Sequence, residues 1–415
     1  MASPTKRVRR SFPEHSQSDV VLRVMSGSRI VTTLATEEHA DAIAAFYREV
    51  WNPAATADSV VAGMRRSAAQ NVAAPGQPTP TALVLAGNRV VGYCGSIPQR
   101  LWDGVRERPA YWVKGLMVLP EYQKGPIGYL VVKELSRHLD CSTILTAAPA
   151  ARRLFSALGY TELGAVANWT RPLRPSVMAE RLDFDALGLS GLPSWMGAGV
   201  SIARRTGIAA VAAKLVGVGI DVASGLARLP ATRLDTALGA PSRAELDELW
   251  MNARKSLTAS PVRDGAYLES RFGKRSEQGE ENEDEGNPYT FVTTRDRGRL
   301  LGVAIVRRPR ATSDARLKGI RVATLSDVVF PVDRADAGLA TLGAVERVAR
   351  AGGADAVTCM TSHPKLCALL RRQGYLRLGG NVHFFLRDVS GLNPFRTDLG
   401  DWWLARGDGE SDMSF

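Results

Sequence analysis

Tyr111-Trp112-Val113-Lys114-Gly115-Leu116-Met117-Val118-Leu119-Pro120-Glu121-Tyr122-Gln123-Lys124-Gly125-Pro126-Ile127-Gly128 reads as a strand, a glycine-bearing turn and the start of a helix. The helix is read from Ile127, Leu130, Val131, Leu135 and Leu139, which recur at the spacing of one buried helical face. The amides of Gly125 to Gly128 therefore fall at a helix N-terminus. The first turn of a helix leaves N–H groups without intrahelical partners, and the helix dipole adds partial positive charge, so this turn is suited to an anion such as a pyrophosphate.

Working outward, Ser142–Ala147 reads as a strand, and Ala151-Arg152-Arg153-Leu154-Phe155-Ser156-Ala157-Leu158-Gly159-Tyr160 as a helix ending in a Gly-Tyr pair. Upstream, a strand is expected at Arg29–Leu34, followed by a helix that Thr36 caps and that carries Ile43, Phe46, Tyr47 and Val50. Residues 71–81, with four Pro or Gly, form a loop. Thr81–Ala86 and Val90–Ile97 then pair as a hairpin across Gly87-Asn88. A strand over 160–171 and the prolines at 172 and 175 close this first unit.

The pair of motifs resembles the GNAT acetyltransferase superfamily, whose acyl-CoA loop runs Leu-x-Val-x-Pro and then Gln/Arg-x-x-Gly-x-Gly/Ala. Leu116, Val118, Pro120, Gln123 and Gly128 match it, while the first loop glycine is Pro126 here, which lacks a backbone donor. The resemblance implies an acyl-CoA donor, acetyl-CoA or another acyl-CoA, held by Met117, Val118, Gln123, Lys124, Gly125, Ile127, Gly128 and Tyr129. It also implies that a backbone amide of Met117 or Val118 stabilises the oxyanion. The family's acid, a tyrosine on the helix before the Gly-Phe/Tyr pair, is Phe155 in this chain, and an asparagine common just before that helix is Ala148. The positions of the family's base are Trp112 and Lys114. A lysine near its ordinary pKa of about 10.4 is protonated at neutral pH, so Lys114 becomes a base only if strongly desolvated. Tyr93 and Tyr111 complete the catalytic candidates, with Asp103 as a further polar group nearby.

From Ser242 the pattern repeats in outline. Helices are expected at 242–257 and 264–272, strands at Tyr289–Thr294, Leu300–Arg307 and Val322–Phe330, and a helix at Ala337–Ala351. A strand at Ala356–Met360, a helix at Pro364–Gln373 ending in Gly374-Tyr375, and a strand through Phe385 follow. The counterpart of the phosphate turn is Val332-Asp333-Arg334-Ala335-Asp336-Ala337-Gly338, where two carboxylates oppose an anion. The fold class is thus α/β with a mixed sheet, two tandem GNAT-like domains, the second degenerate, joined by a helical connector. The expected division is a basic, structureless tail over 1–28, the CoA-binding domain over 29–172, the connector over 173–240, the second domain over 241–390 and a C-terminal tail over 391–415.

That tail, with Asp401-Trp402-Trp403-Leu404-Ala405-Arg406-Gly407-Asp408, and the stretch from Arg263 to Phe272 are similar to two-domain GNAT-like proteins associated with bacterial polysaccharide production. The implied activity is acyl transfer to a nitrogen or oxygen of an acceptor, a sugar or polysaccharide intermediate or other small molecule bound between the halves. Two alternatives stand beside it: a catalytically inactive acyl-CoA-binding or scaffold protein, and an aminoacyl- or thiol-directed transferase. The adjacent tryptophans are read as filling the seam between halves rather than stacking on a sugar ring.

The chain has 415 residues, 45% of them hydrophobic, which suits two domains and a connector. Cys94, Cys141, Cys359 and Cys367 show neither metal-ligand spacing nor a disulfide framework, pointing to a reducing, cytoplasmic setting and no metal. The net charge of +11 favours anionic partners, but no nucleic-acid module is present and none is expected as a partner. Thr206–Ala227 carries only Lys214 and Asp221 as charges, yet it is interrupted by Gly217, Gly219 and Gly225. It reads as an interdomain helix, with a peripheral contact of 195–229 at the inner membrane face as the alternative. The acidic run Glu277–Glu285 reads as a solvated insertion.

Overall fold

The computed structural model describes residues 22–23, 29–146, 148–181, 208–273, 287–311, 319–392 and 394–409. The β-rich alternation of the first half produces β1 (Leu22–Arg23), β2 (Arg29–Leu34), β3 (Ala82–Ala86), β4 (Arg89–Trp102), β5 (Glu107–Val118), β6 (Cys141–Thr146) and β7 (Thr161–Pro172). Its helices are α1 (Ala40–Val50), α2 (Ala57–Ala69), α3 (Ile127–Arg137) and α4 (Pro149–Ala157). Helix α2 was not legible in the sequence, because its pattern is weak and it buries Val60 alone; a Thr56–Ser59 capping box starts it. Strand β1 pairs with Arg29–Ile30, so the expected structureless stretch through residue 28 contains an ordered pair at Leu22–Arg23.

The connector includes α5 (Pro175–Arg181) and α6 (Ile208–Ala227); the expected membrane-facing residues 195–207 and the acidic run lie outside the described residues. The second half contributes β8 (Asp235–Leu238), α7 (Arg243–Ala253), β9 (Ser260–Pro261), α8 (Gly265–Phe272), β10 (Tyr289–Asp296), β11 (Arg299–Ala311) and β12 (Arg321–Val329). It continues with α9 (Ala335–Ala351), β13 (Ala356–Met360), α10 (Pro364–Arg372) and β14 (Leu376–Asp388).

All the strands join one mixed sheet in the order β1-β2-β3-β4-β5-β6-β14-β7-β13-β12-β11-β10-β8, with β9 paired to β4. The last long strand of each half has crossed over. Strand β14 pairs along the whole of β6, Cys141–Thr146 against Asp388–His383, and β7 pairs with β13, Asn168–Pro172 against Met360–Ala356. The two exchanged strands are antiparallel neighbours at the centre. The division of the chain at 172 and 241 therefore separates segments, not sheets.

The seam is packed as well as hydrogen-bonded. One buried cluster gathers Trp112, Val166, Met360, Phe384 and Trp402, from five separate segments of chain. Each large side chain buried there contributes about 1.5–3 kcal/mol relative to exposure. Helix α6 is tied to both halves by charge: Asp221 accepts from the fully buried Arg171 of β7 at 2.5 Å and from Arg350 of the Ala335–Ala351 helix at 2.9 Å. Among the described residues, no helix is long and apolar enough to cross a membrane.

Candidate functional site

Strand β5 carries a bulge. Tyr93 opposes Met117 and Gly95 opposes Lys114, so Gly115 and Leu116 together face Cys94. Gly115 has φ +59°, a conformation open to glycine at little cost and strained for other residues. The bulge turns β5 away from β6: the two pair at Tyr111–Ser142 and Trp112–Thr143, while β6 continues alongside β14. A wedge opens beyond, and Lys114 to Val118 remain half-buried rather than covered.

The turn to α3 closes the wide end of this wedge. Leu119 is buried and its amide donates to Val91 O at 3.0 Å, while the Gln123 side chain donates to Val118 O at 3.1 Å. Gly92 lets the helix settle, since a Cβ there would sit 2.6 Å from Ile127 Cγ2. The first helical hydrogen bond runs from Leu130 N to Pro126 O, so the amides of Ile127, Gly128 and Tyr129 precede it. No side chain caps this helix and no acidic residue lies in its first turn. The result is an anion-receptive N-terminus next to a gap in the sheet.

The expected donor-binding residues are distributed along this turn in different ways. Met117 and Val118 line the strand, Gln123 braces the loop, and Lys124, Gly125 and Pro126 are exposed. Ile127 is buried, so its contribution is confined to its amide. Tyr129 projects from α3 with Lys133 Nζ 5.6 Å from its ring centre.

Of the catalytic candidates, Tyr93 and Lys114 converge and Tyr111 does not. The position of a Cβ on Gly95 lies 3.1 Å from the Tyr93 hydroxyl oxygen and 3.5 Å from Lys114 Cε. The Tyr93 ring stacks on Phe46 and meets Tyr47 edge-on at 5.4 Å, and the two tyrosine hydroxyls are hydrogen-bonded. Burial, then the neighbouring Tyr93, pushes the Tyr47 hydroxyl far above its ordinary pKa, so it keeps its proton. Tyr47 was read as a core residue of α1; the sequence offered no signal that it would meet Tyr93.

The Tyr111 hydroxyl instead bonds with Asn71, and burial raises its pKa against that bond. Asn71 belongs to the wall of a 540 Å³ cavity between the end of α2 and helices α7 and α8 of the second half. Asp103 is a turn residue, accepting from the amides of Val105 and Arg106. Trp112 is buried against Phe384. Phe155 is fully buried against Tyr160 and Phe385 and faces no open space.

The matching region of the second half is filled. The register of β12 on β11 shifts at Ser326, three residues before the end of β12 as Gly115 is in β5, and the pairing of β12 with β13 ends at Thr324. There the chain's own C-terminal segment takes up the freed backbone: Trp403 Nε1 donates to Val328 O at 3.0 Å and Gly407 N to Ser326 O at 2.6 Å. Trp403 packs edge-on to Phe330 and 4.9 Å from His363. Arg263, wholly buried, joins Asp327 at 2.7 Å and Asp408 at 2.8 Å. The start of α9 is occupied by Asp336, whose carboxyl is held below its usual range by Arg334, 2.9 Å away.

The four thiols are buried, and burial drives Cys141 up to about 12, which removes it as a nucleophile. Among the described residues no three His, Cys, Asp or Glu side chains gather as a metal site.

No family model and no curated protein matches the sequence. Solved structures do match in shape. A GCN5-related N-acetyltransferase from Anabaena variabilis superposes with a TM-score of 0.51 at 13% identity, over 87% of this chain and 73% of its own. One from Kribbella flavida gives 0.50 at 16% identity, over 87% and 71%. Saccharomyces cerevisiae N-myristoyltransferase with bound myristoyl-CoA gives 0.50 at 13% identity, over 93% and 90%. At these identities the likeness is one of fold: the chain has the mixed α/β GNAT fold.

Proposed function

We propose that this protein is an acyl-CoA-dependent acyltransferase, with acetyl-CoA or another acyl-CoA held at the β5–α3 turn and the acceptor bound between the halves. The observation that carries the reading is the bulge-opened wedge ending at an uncapped helix N-terminus, a geometry suited to a thioester beside the strand and a pyrophosphate at the helix amides. Bound myristoyl-CoA in the yeast N-myristoyltransferase supports an acyl-CoA as the donor class.

In the reaction, an amine or hydroxyl of the acceptor attacks the thioester carbonyl. Charge developing on the carbonyl oxygen is met by a β5 amide, of Met117 or Val118, and by the Lys114 ammonium. The C–S bond breaks, the leaving thiolate takes a proton from the Tyr93 hydroxyl, backed by Tyr47, and the proton that the acceptor's N–H or O–H gives up as the new bond forms returns to Tyr93 through water. Proximity of the two bound reactants supplies much of the acceleration. The acceptor proposed is a sugar or polysaccharide intermediate.

Titration of the protein with CoA and acetyl-CoA, repeated on Gly128→Asp, tests the donor site: micromolar binding lost in the variant supports it, and no binding to wild type rejects it. Thiol release from acetyl-CoA across a panel of sugar and amine acceptors then tests turnover. A second reading, an acyl-CoA-binding scaffold without catalysis, is favoured by the buried Phe155 and by Pro126. It is supported if CoA binds and no acceptor releases thiol, even in Pro126→Gly.

A peripheral membrane contact belongs to the same proposal. Leu215, Val218, Val222 and Leu226 form one exposed face of α6, and binding to anionic vesicles reduced by Leu215→Glu and Val222→Glu supports it.

A further inference from the structure

The 540 Å³ cavity at the junction is of ordinary size for a small-ligand site, typically about 300–1,000 Å³. It differs from such sites in its walls. No aromatic side chain lines it, and seven of its eleven lining residues carry charged, amide or hydroxyl side chains beside Val72, Pro75 and two alanines.

Some of that polarity is already committed. Arg100 is bound to Glu107 at 2.7 Å and to Asp264, and Asp264 also caps α8 by accepting from Tyr267 N at 3.0 Å. The Asn71 carbonyl oxygen accepts from the amides of Ala73 and Ala74, and its amide group donates to Gln77 O. These groups frame the cavity. Three others on its wall, Gln70, Arg243 and Glu269, are exposed and carry no ion pair or side-chain hydrogen bond among the described residues. Arg100 Nε, buried in the same wall, also has no partner.

An uncommitted guanidinium calls for an anion, preferably a planar or tetrahedral oxyanion it can bind through two N–H groups. An amide and a carboxylate beside it call for hydroxyl donors. Asn71 ties the wall to β5 through Tyr111, which stands three residues before Lys114, about 10 Å along the strand and, by strand alternation, with its side chain on the opposite face.

We infer that this cavity is the acceptor site and takes a hydroxyl-rich molecule carrying one anionic group, the anion on Arg243 and the hydroxyls on Gln70 and Glu269. Its assignment to the acceptor rests on the acyltransferase reading; its ligand chemistry does not. A neutral polyol leaves Arg243 unmatched, and a dianion meets Glu269 unfavourably, so one negative charge is the best fit.

The test is ligand-observed NMR titration of the whole protein with glucuronate, glucose 6-phosphate and glucose, on wild type, Arg243→Ala and Glu269→Gln, each checked by CoA titration. The expected result is at least tenfold tighter binding of one or both anionic sugars than of glucose. Arg243→Ala should erase that preference, and Glu269→Gln should weaken all three sugars, with CoA affinity unchanged. Glucuronate, a monoanion, should bind ahead of glucose 6-phosphate, which carries close to two negative charges at neutral pH, and the reverse order would overturn the assignment of a single charge. Equal binding of all three sugars, or a preference that survives Arg243→Ala, overturns the inference. Failure of wild type to bind CoA while the sugar pattern holds would instead remove the acyltransferase reading and leave the cavity's ligand chemistry standing.

Discussion

The β5–α3 and β12–α9 turns have the same ancestry of form, a strand that bulges three residues before its end and leaves its parallel neighbour, yet they end in opposite states. In the first, residues 114–118 stay half-buried, eight residues (119–126) loop out to the helix, and the helix begins without a carboxylate. In the second, 322–329 are all buried, five residues (330–334) make the turn, and Asp336 occupies the helix start. Trp403 and Gly407 complete the closure by bonding to the strand that the bulge exposed. A break in a sheet leaves backbone groups and apolar surface that must be satisfied by something. One half covers them with the C-terminal tail, and in the other residues 114–118 stay half-buried.

The comparison is broken most forcefully by removing the plug. Trp403→Ala should cost about 3–5 kcal/mol in denaturant unfolding, the range for an aromatic deleted from a packed core. A cost below 1 kcal/mol would mean that the second gap does not depend on its filling. In the open half, Gly128→Asp should lower CoA affinity on the order of tenfold to a hundredfold by calorimetry, through like-charge repulsion at the pyrophosphate position. Asp336→Ala in the filled half should create no second CoA stoichiometry.

Gly115→Ser gives the open bulge the residue found in the closed one. The left-handed backbone at this position should make it less stable by about 1–2 kcal/mol, and restricted geometry should weaken CoA binding with it. An unchanged melting temperature and affinity would show that the bulge relaxes freely.

The smallest expected effect concerns the buried charges behind the plug. One arginine faces two carboxylates, and burial, outweighing Arg263, pushes Asp327 from an ordinary 3.8 up to about 6. A carboxyl that holds its proton more tightly when folded loses stability as pH rises from about 4 to about 6. Asp327→Asn keeps an acceptor for Arg263 and removes the surplus charge. Relative to wild type it should gain on the order of 1 kcal/mol at pH 8 and nothing at pH 4. Referring the variant to wild type at each pH cancels His363, whose lowered pKa, about 4, acts in the opposite sense. A gain at pH 4 equal to that at pH 8 would refute the assignment.

The legible parts of the molecule were those set by near neighbours. The helix start at Ile127, the hairpin across Gly87-Asn88 and the Gly-Tyr helix ends follow from periodicity and turn chemistry within a few residues. Gly115 stood inside a strand and is the local mark of the bulge, although the sequence reading passed over it. The pairing of Tyr47 with Tyr93 was invisible, because α1 and β4 present them from positions 46 residues apart and the helix pattern alone marks Tyr47 as core. Tyr111 was grouped with Lys114 by closeness in sequence, but its hydroxyl belongs to the junction cavity.

By itself the sequence determined most of the order of elements, though not α2, together with the glycine turn at the start of α3 and the acidic turn of the second half, since each is written in spacing, glycine and charge over a dozen residues. Tertiary structure alone decided that β14 and β7 change places, that Trp403 fills one gap, and that Arg243 and Glu269 face Gln70 across a cavity. These arrangements join residues far apart in sequence, 75 positions for Trp403 and Val328 and more for the others. Their free energy comes from burial and backbone pairing summed over the whole sheet, a quantity that no local stretch of chain carries.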